Sequence, residues 1–116
     1  MRYLKIKFII SFSVLVLAVL SCESAPDIKP KIYFDGLKFR IENTDAFSYK
    51  NVDLTVNDKY EAHIDSIPSG KSYEIGMSIF ADEEGNRLTT DKKVLKMCMD
   101  CYILDNKKRT YCGDWK

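Results

Sequence analysis

The sequence predicts an all-β domain of short antiparallel strands, and three observations carry that prediction. Apolar and polar residues alternate with period two in five separate runs, turn-forming residues punctuate those runs, and no window shows a 3.6-residue apolar stripe. Strands with one apolar face each need a second sheet about 10 Å away to cover that face, which makes the expected architecture a small β-sandwich or barrel. There is no strand–helix alternation to support a parallel sheet.

Taken in order, the chain begins with a segment of different character. Arg2, Lys5 and Lys7 precede an apolar run from Phe8 to Leu20, broken only by Ser11 and Ser13, and Ser21 stands before Cys22. The run is short against the ~20 residues a membrane-spanning helix needs, and basic residues ahead of a short apolar core ending on a small residue are the pattern of a cleaved export signal. V-L-S-C at positions 19–22 resembles the lipobox of bacterial lipoproteins. The resemblance implies cleavage after Ser21, a diacylglyceryl group on the Cys22 thiol and a further acyl chain, palmitate being typical, on its freed amine. Two or three chains give stable anchoring where one is marginal. Glu23 stands where an aspartate marks inner-membrane retention in lipoproteins of enteric type, so the expected address is the outer membrane. The expected organisation is a signal peptide over residues 1–21, a lipidated tether over 22–30 and a β-sandwich domain over 31–116. Pro26 and Pro30 make the tether a poor helix.

Within the domain, Leu37-Phe39-Ile41, Val52-Leu54-Val56, Tyr60-Ala62-Ile64 and Tyr73-Ile75-Met77-Ile79 each alternate with polar or small residues. Leu95-Met97-Met99-Cys101-Ile103 is the last long run. Asn43-Thr44-Asp45, Asn57-Asp58, Pro68-Ser69-Gly70, Glu84-Gly85-Asn86 and Asp105-Asn106 supply the turns. The segments F-R-I-E-N-T-D, Y-K-N-V-D-L-T-V-N and I-P-S-G-K-S-Y resemble the small immunoglobulin-like sandwich domains of bacterial lipoproteins and secreted proteins. That resemblance covers Phe39 to about Ile79. Its motifs are packing and turn motifs, so it implies a fold and no active site.

Charge excludes one class of partner. The signal takes three of the 18 basic side chains and none of the 17 acidic ones, so the chain from Cys22 onward carries a formal net charge of −2. Its lysines are scattered, and nucleic-acid binding has no electrostatic basis.

Candidate chemistry is sparse. His63, the only histidine, shares an outward face with Glu61 and Asp65, a spacing that reads as a solvated polar face before it reads as a metal site. Asp82-Glu83-Glu84-Gly85-Asn86 lacks the ligand alternation of a calcium loop, and Gly85 reads as the positive-φ residue of a turn. With Cys22 lipidated, Cys98, Cys101 and Cys112 remain in an oxidising compartment, giving one disulfide and one odd thiol. A two-residue hairpin turn at Asn106-Lys107 sets Cys101 opposite Cys112 on the core side, which predicts a Cys101–Cys112 bridge and leaves Cys98 outside it. The expected function is a lipid-anchored envelope binding or structural module with a membrane contact through Cys22 and an envelope protein partner. No catalytic group, cofactor, metal or small-molecule substrate is implied. The rival reading is a metal- or redox-handling protein using Cys98, Cys101, Cys112 and His63.

Overall fold

The computed structural model describes residues 26–114, so the expected signal over 1–21, the expected acceptor Cys22 and Trp115 lie outside the described residues. Seven strands form: β1 (Lys31–Phe34), β2 (Lys38–Glu42), β3 (Tyr49–Val56), β4 (Tyr60–Ile67), β5 (Ser72–Gly76), β6 (Lys96–Tyr102) and β7 (Lys108–Asp114). They make two antiparallel sheets in the orders β1-β2-β5 and β4-β3-β6-β7. No α-helix occurs among the described residues.

Alternation sets which side chains meet between the sheets. Phe39, Ile41 and Ile75 from the three-stranded sheet face Val52, Leu54, Val56, Ile64, Met97 and Met99 from the four-stranded one, all buried in one core. The chain changes sheet between β2 and β3, between β4 and β5, and between β5 and β6, as in an immunoglobulin-like sandwich. β4 lies beside β3, whereas the fourth strand of a constant-type immunoglobulin domain joins the other sheet.

Three of the five alternating runs overshoot or spill at an end or an edge. Leu37, Ile79 and Leu95 are exposed because each falls just outside the last ladder pair of its strand. The backbone leaves β5 through a single 3-10 turn over Met77–Ile79, which buries Met77 and turns Ile79 out. Tyr73 pairs with the inward Ile41 but is half exposed, since β5 is an edge strand with nothing beyond it.

Both hairpins of the four-stranded sheet turn on two adjacent left-handed residues. Asn57 and Asp58 have φ of 53° and 56°, and Asp105 and Asn106 both have 57°. Short polar side chains tolerate that region, and a primed turn requires it at both positions. In each case one extra residue follows or precedes the turn. Lys59 N donates to Val56 O, yet the ladder pairs Val56 with Tyr60. Lys107 N donates to Leu104 O, yet Ile103 N donates to Lys107 O and the ladder pairs Tyr102 with Lys108.

The described part of the expected tether is packed, not loose. Ile28 and Pro30 are buried, and Ile28 belongs to the core. Lys29 N donates to Asp45 Oδ2 at 2.8 Å while Thr44 Oγ1 donates to Lys29 O at 2.6 Å. Arg109 Nε donates to Pro26 O at 3.1 Å. Asn43, buried in the same corner, donates to Phe47 O and Ile67 O and accepts from Asp45 N. Every buried side-chain nitrogen and oxygen of this corner has a partner, which is the condition for burying it.

Candidate functional site

The four-stranded sheet has an outer face of polar side chains, and its register builds them into rows. His63 on β4 lies opposite Asp53 on β3, Asp53 opposite Asp100 on β6, and Asp100 opposite Thr110 on β7. The next row is Glu61, Thr55, Cys98 and Cys112. A shallow depression lies between the rows, lined by Asp53, Thr55, Glu61, His63 and Asp100.

His63 is held at both ring nitrogens. Nδ1 stands 2.9 Å from Asp53 Oδ1, and Nε2 stands 3.4 Å from Asp65 Oδ1. The hydrogen bond to Asp53 raises the imidazole pKa above its usual value; desolvation opposes it, and the charges of Asp53 and Asp65 add to the rise. Asp100 takes the hydroxyl of Thr110. Two like charges directly opposite on neighbouring strands are destabilising. Here each of the two facing aspartates is supplied with one donor, from His63 on one side and Thr110 on the other. Glu61 and Asp65 share the outer face with His63 as expected, but the nearest partner, Asp53, comes from the neighbouring strand. It was legible in outline, as the polar position between Val52 and Leu54.

The cysteines correct the expectation. Cys98 and Cys112 form the disulfide, with Cα atoms 4.1 Å apart, and Cys101 is the free thiol. Cys101 stands opposite Arg109, so the proposed Cys101–Cys112 bridge does not form. The cause is the turn: its left-handed pair is Asp105-Asn106, one residue earlier than the expected Asn106-Lys107 turn, and the extra residue Leu104 shifts the ladder again. The pairing moves by an odd number of residues, which sends the partner of Cys112 from the core face to the solvent face. Cys98 points outward, as its alternation with Lys96 and Asp100 implies, and the bridge is a surface one. Burial, with the charges of Asp100 and Asp45 adding, pushes the Cys101 thiol up to about 11. Such a thiol is inert at neutral pH.

The four residues of the rival metal or redox reading do not converge. Two are joined to each other, Cys101 faces the core, and His63 lies on β4, two strands from β6. Among the described residues no group of three or more His, Cys, Asp or Glu side chains is placed to hold a metal ion. The described helices include none long and apolar enough to cross a membrane.

A second acidic surface borders the first through Glu61. Asp58, Asp82, Glu83 and Glu84 line a depression at the opposite end of the sandwich from Pro26, with Lys59 between them. Gly85 has a φ of 86°, as the turn reading requires. Asp82 is committed to its own loop, accepting from Asn86 N at 2.8 Å and Glu84 N at 3.0 Å. Partial desolvation raises its pKa, but the bonds from Asn86 and Glu84 outweigh that and hold the carboxyl below its usual value.

Of the aromatic residues, Tyr49 is fully buried, Phe47 and Tyr111 pack against the core, and Tyr33 and Tyr102 are exposed. Arg40 covers the Tyr33 ring at 4.7 Å. Comparison with known proteins finds no family model, no curated protein and no solved structure that matches the chain.

Proposed function

We propose that the chain is a lipid-anchored module of the cell envelope, held at the outer membrane through acyl chains on Cys22, that docks a cationic segment of a protein partner on the outer face of its four-stranded sheet. The observation that carries this reading is the facing pair of an exposed Asp53 and a half-buried Asp100 on the outer face of the sheet, flanked by Glu61 and Asp65. A lysine or arginine laid across the pair would relieve its repulsion and gain a charge-assisted hydrogen bond. A flat polar sheet offers area to a protein and no enclosed volume to a small substrate, which supports a docking role over a catalytic one. The signal and V-L-S-C pattern support the anchor.

Two measurements test the proposal. Membrane fractionation of Cys22→Ser is expected to show an uncleaved or soluble chain, and a processed chain that still partitions fully with the membrane overturns the anchor. Cross-linking in envelope preparations, comparing wild type with Asp53→Lys and Asp100→Lys together, is expected to lose one specific partner. An unchanged set of cross-linked partners removes the docking face.

A further inference from the structure

The chain joins the sandwich at a defined place. Pro26 is fixed by Arg109 at the start of β7, next to the β6–β7 hairpin, and Lys29 is fixed by Thr44 and Asp45 in the β2–β3 loop. Only three residues separate Cys22 from Pro26, so the four steps between them span at most about 14 Å of extended chain. A domain held at Cys22 must therefore present this end, and not its flank, to the bilayer.

This end has the composition of a membrane-facing surface. Leu104, at the hairpin tip, is 56% exposed, and Tyr102 beside it is 37% exposed. Lys107 and Lys108 follow directly, and Lys50 and Lys71 are exposed on the same end of the sandwich. Of the acids there, Asp45 accepts from Lys29 and Tyr49, the exposed Asp65 and Asp27 stand beside His63 and Arg109, and Asp105 lies on the tip itself. The acidic depression is at the far end. Left-handed Asp105 and Asn106 and the disulfide one short strand away hold the tip in shape.

We infer that the β6–β7 hairpin tip is a second membrane contact, seating Leu104 and Tyr102 in the headgroup layer of an anionic bilayer with Lys107 and Lys108 on the lipid phosphates. The inference rests on Cys22 as the lipid-bearing residue. An aromatic residue suits the interface and an aliphatic one the acyl boundary, while each lysine near an anionic surface contributes about five-fold in binding. Contact at this point fixes the tilt of the domain, which a single attachment point does not.

The test uses the full lipidated protein in vesicles of phosphatidylglycerol and phosphatidylethanolamine containing brominated phospholipid. In a Trp115→Phe background, Leu104→Trp is compared with Leu95→Trp, which lies about 23 Å away at the other end of β6. Both sites are exposed, so neither change disturbs the core. The inference predicts strong quenching and a blue shift at position 104 and neither at 95. Adding Lys107→Gln with Lys108→Gln should lower the ratio of quenched to unquenched tip about five-fold per lysine in these vesicles and little in neutral phosphatidylcholine. Equal quenching at 104 and 95, with lipid confirmed on Cys22 by mass spectrometry, overturns the inference and leaves the anchor standing. A Cys22 peptide without lipid mass takes down the anchor and this inference together.

Discussion

The two hairpins of the four-stranded sheet share a turn geometry and differ in what holds them. In β3–β4 the staple is a set of side-chain hydrogen bonds: Asn57 Oδ1 accepts from Leu95 N at 2.8 Å and Lys96 N at 3.2 Å, and its Nδ2 donates to Lys93 O at 2.8 Å. In β6–β7 the staple is covalent, Cys98 to Cys112. The first ties its turn to a neighbouring strand, and the second ties its own two strands to each other. A turn residue that also reaches β6 secures tertiary structure, whereas the disulfide secures a register that its turn leaves one residue adrift.

The largest expected effect on that contrast comes from the covalent staple. Cys112→Ala should lower stability by about 3 kcal/mol on the chain-entropy estimate for a loop of this length, read as a fall in the urea midpoint. The same fall should follow Cys98→Ala. A drop produced instead by Cys101→Ala, with Cys98→Ala neutral, would restore the pairing that the hairpin count suggested.

Next is Asn57→Gly, which keeps a left-handed turn but removes three hydrogen bonds. The expected loss is about 1–2 kcal/mol, since the freed backbone groups of residues 93–96 regain some water. Hydrogen exchange should rise at Leu95 and Lys96 and stay unchanged at Tyr60–Ile64. Uniform protection loss across β3–β4 would mean that Asn57 acts only through its turn.

The smallest effect belongs to the exposed His63–Asp53 pair across β3–β4. Because the folded pKa is raised, any stability from this pair is fully present below the unfolded value of about 6.5 and is lost as pH rises through the folded value. The lone imidazole should titrate above that value by nuclear magnetic resonance, and Asp53→Asn should bring the midpoint down. A midpoint unmoved by Asp53→Asn would assign the shift to Asp65 alone.

Legibility in the sequence followed the physics of each signal. β2, β3, β4 and β6 were readable because a half-buried strand must alternate, and Phe39, Leu54, Ile64 and Met99 are core residues for that reason. β1 was not, because four residues are too few to establish a period. Turn positions were readable as residue types, but the pairing they set was not. An extra residue beside each turn, Lys59 in one hairpin and Leu104 in the other, carries no compositional mark, and it reverses every facing count made outward from the turn. The Asp53–His63–Asp65 cluster was half legible: its β4 members show in sequence, while Asp53 needed the register.

The segment between β5 and β6 bears on solubility as well as on architecture. Ala81 bridges Glu61 through both backbone groups, at 2.9 and 3.1 Å, and pairs with Arg87 on its other side, so it lies along the free margin of β4. A sheet margin with unpaired N–H and C=O groups templates strand addition by another chain. Ala81 closes the first part of that margin, and the remainder carries His63, Asp65 and Ser66, whose charge and polarity discourage a second strand. Partial detachment of this segment, far cheaper than global unfolding, would uncover the Tyr60–Ala62 backbone beside two buried neighbours. The expected outcome under mild stress is therefore self-association through β4 before the core melts, visible as oligomers by light scattering.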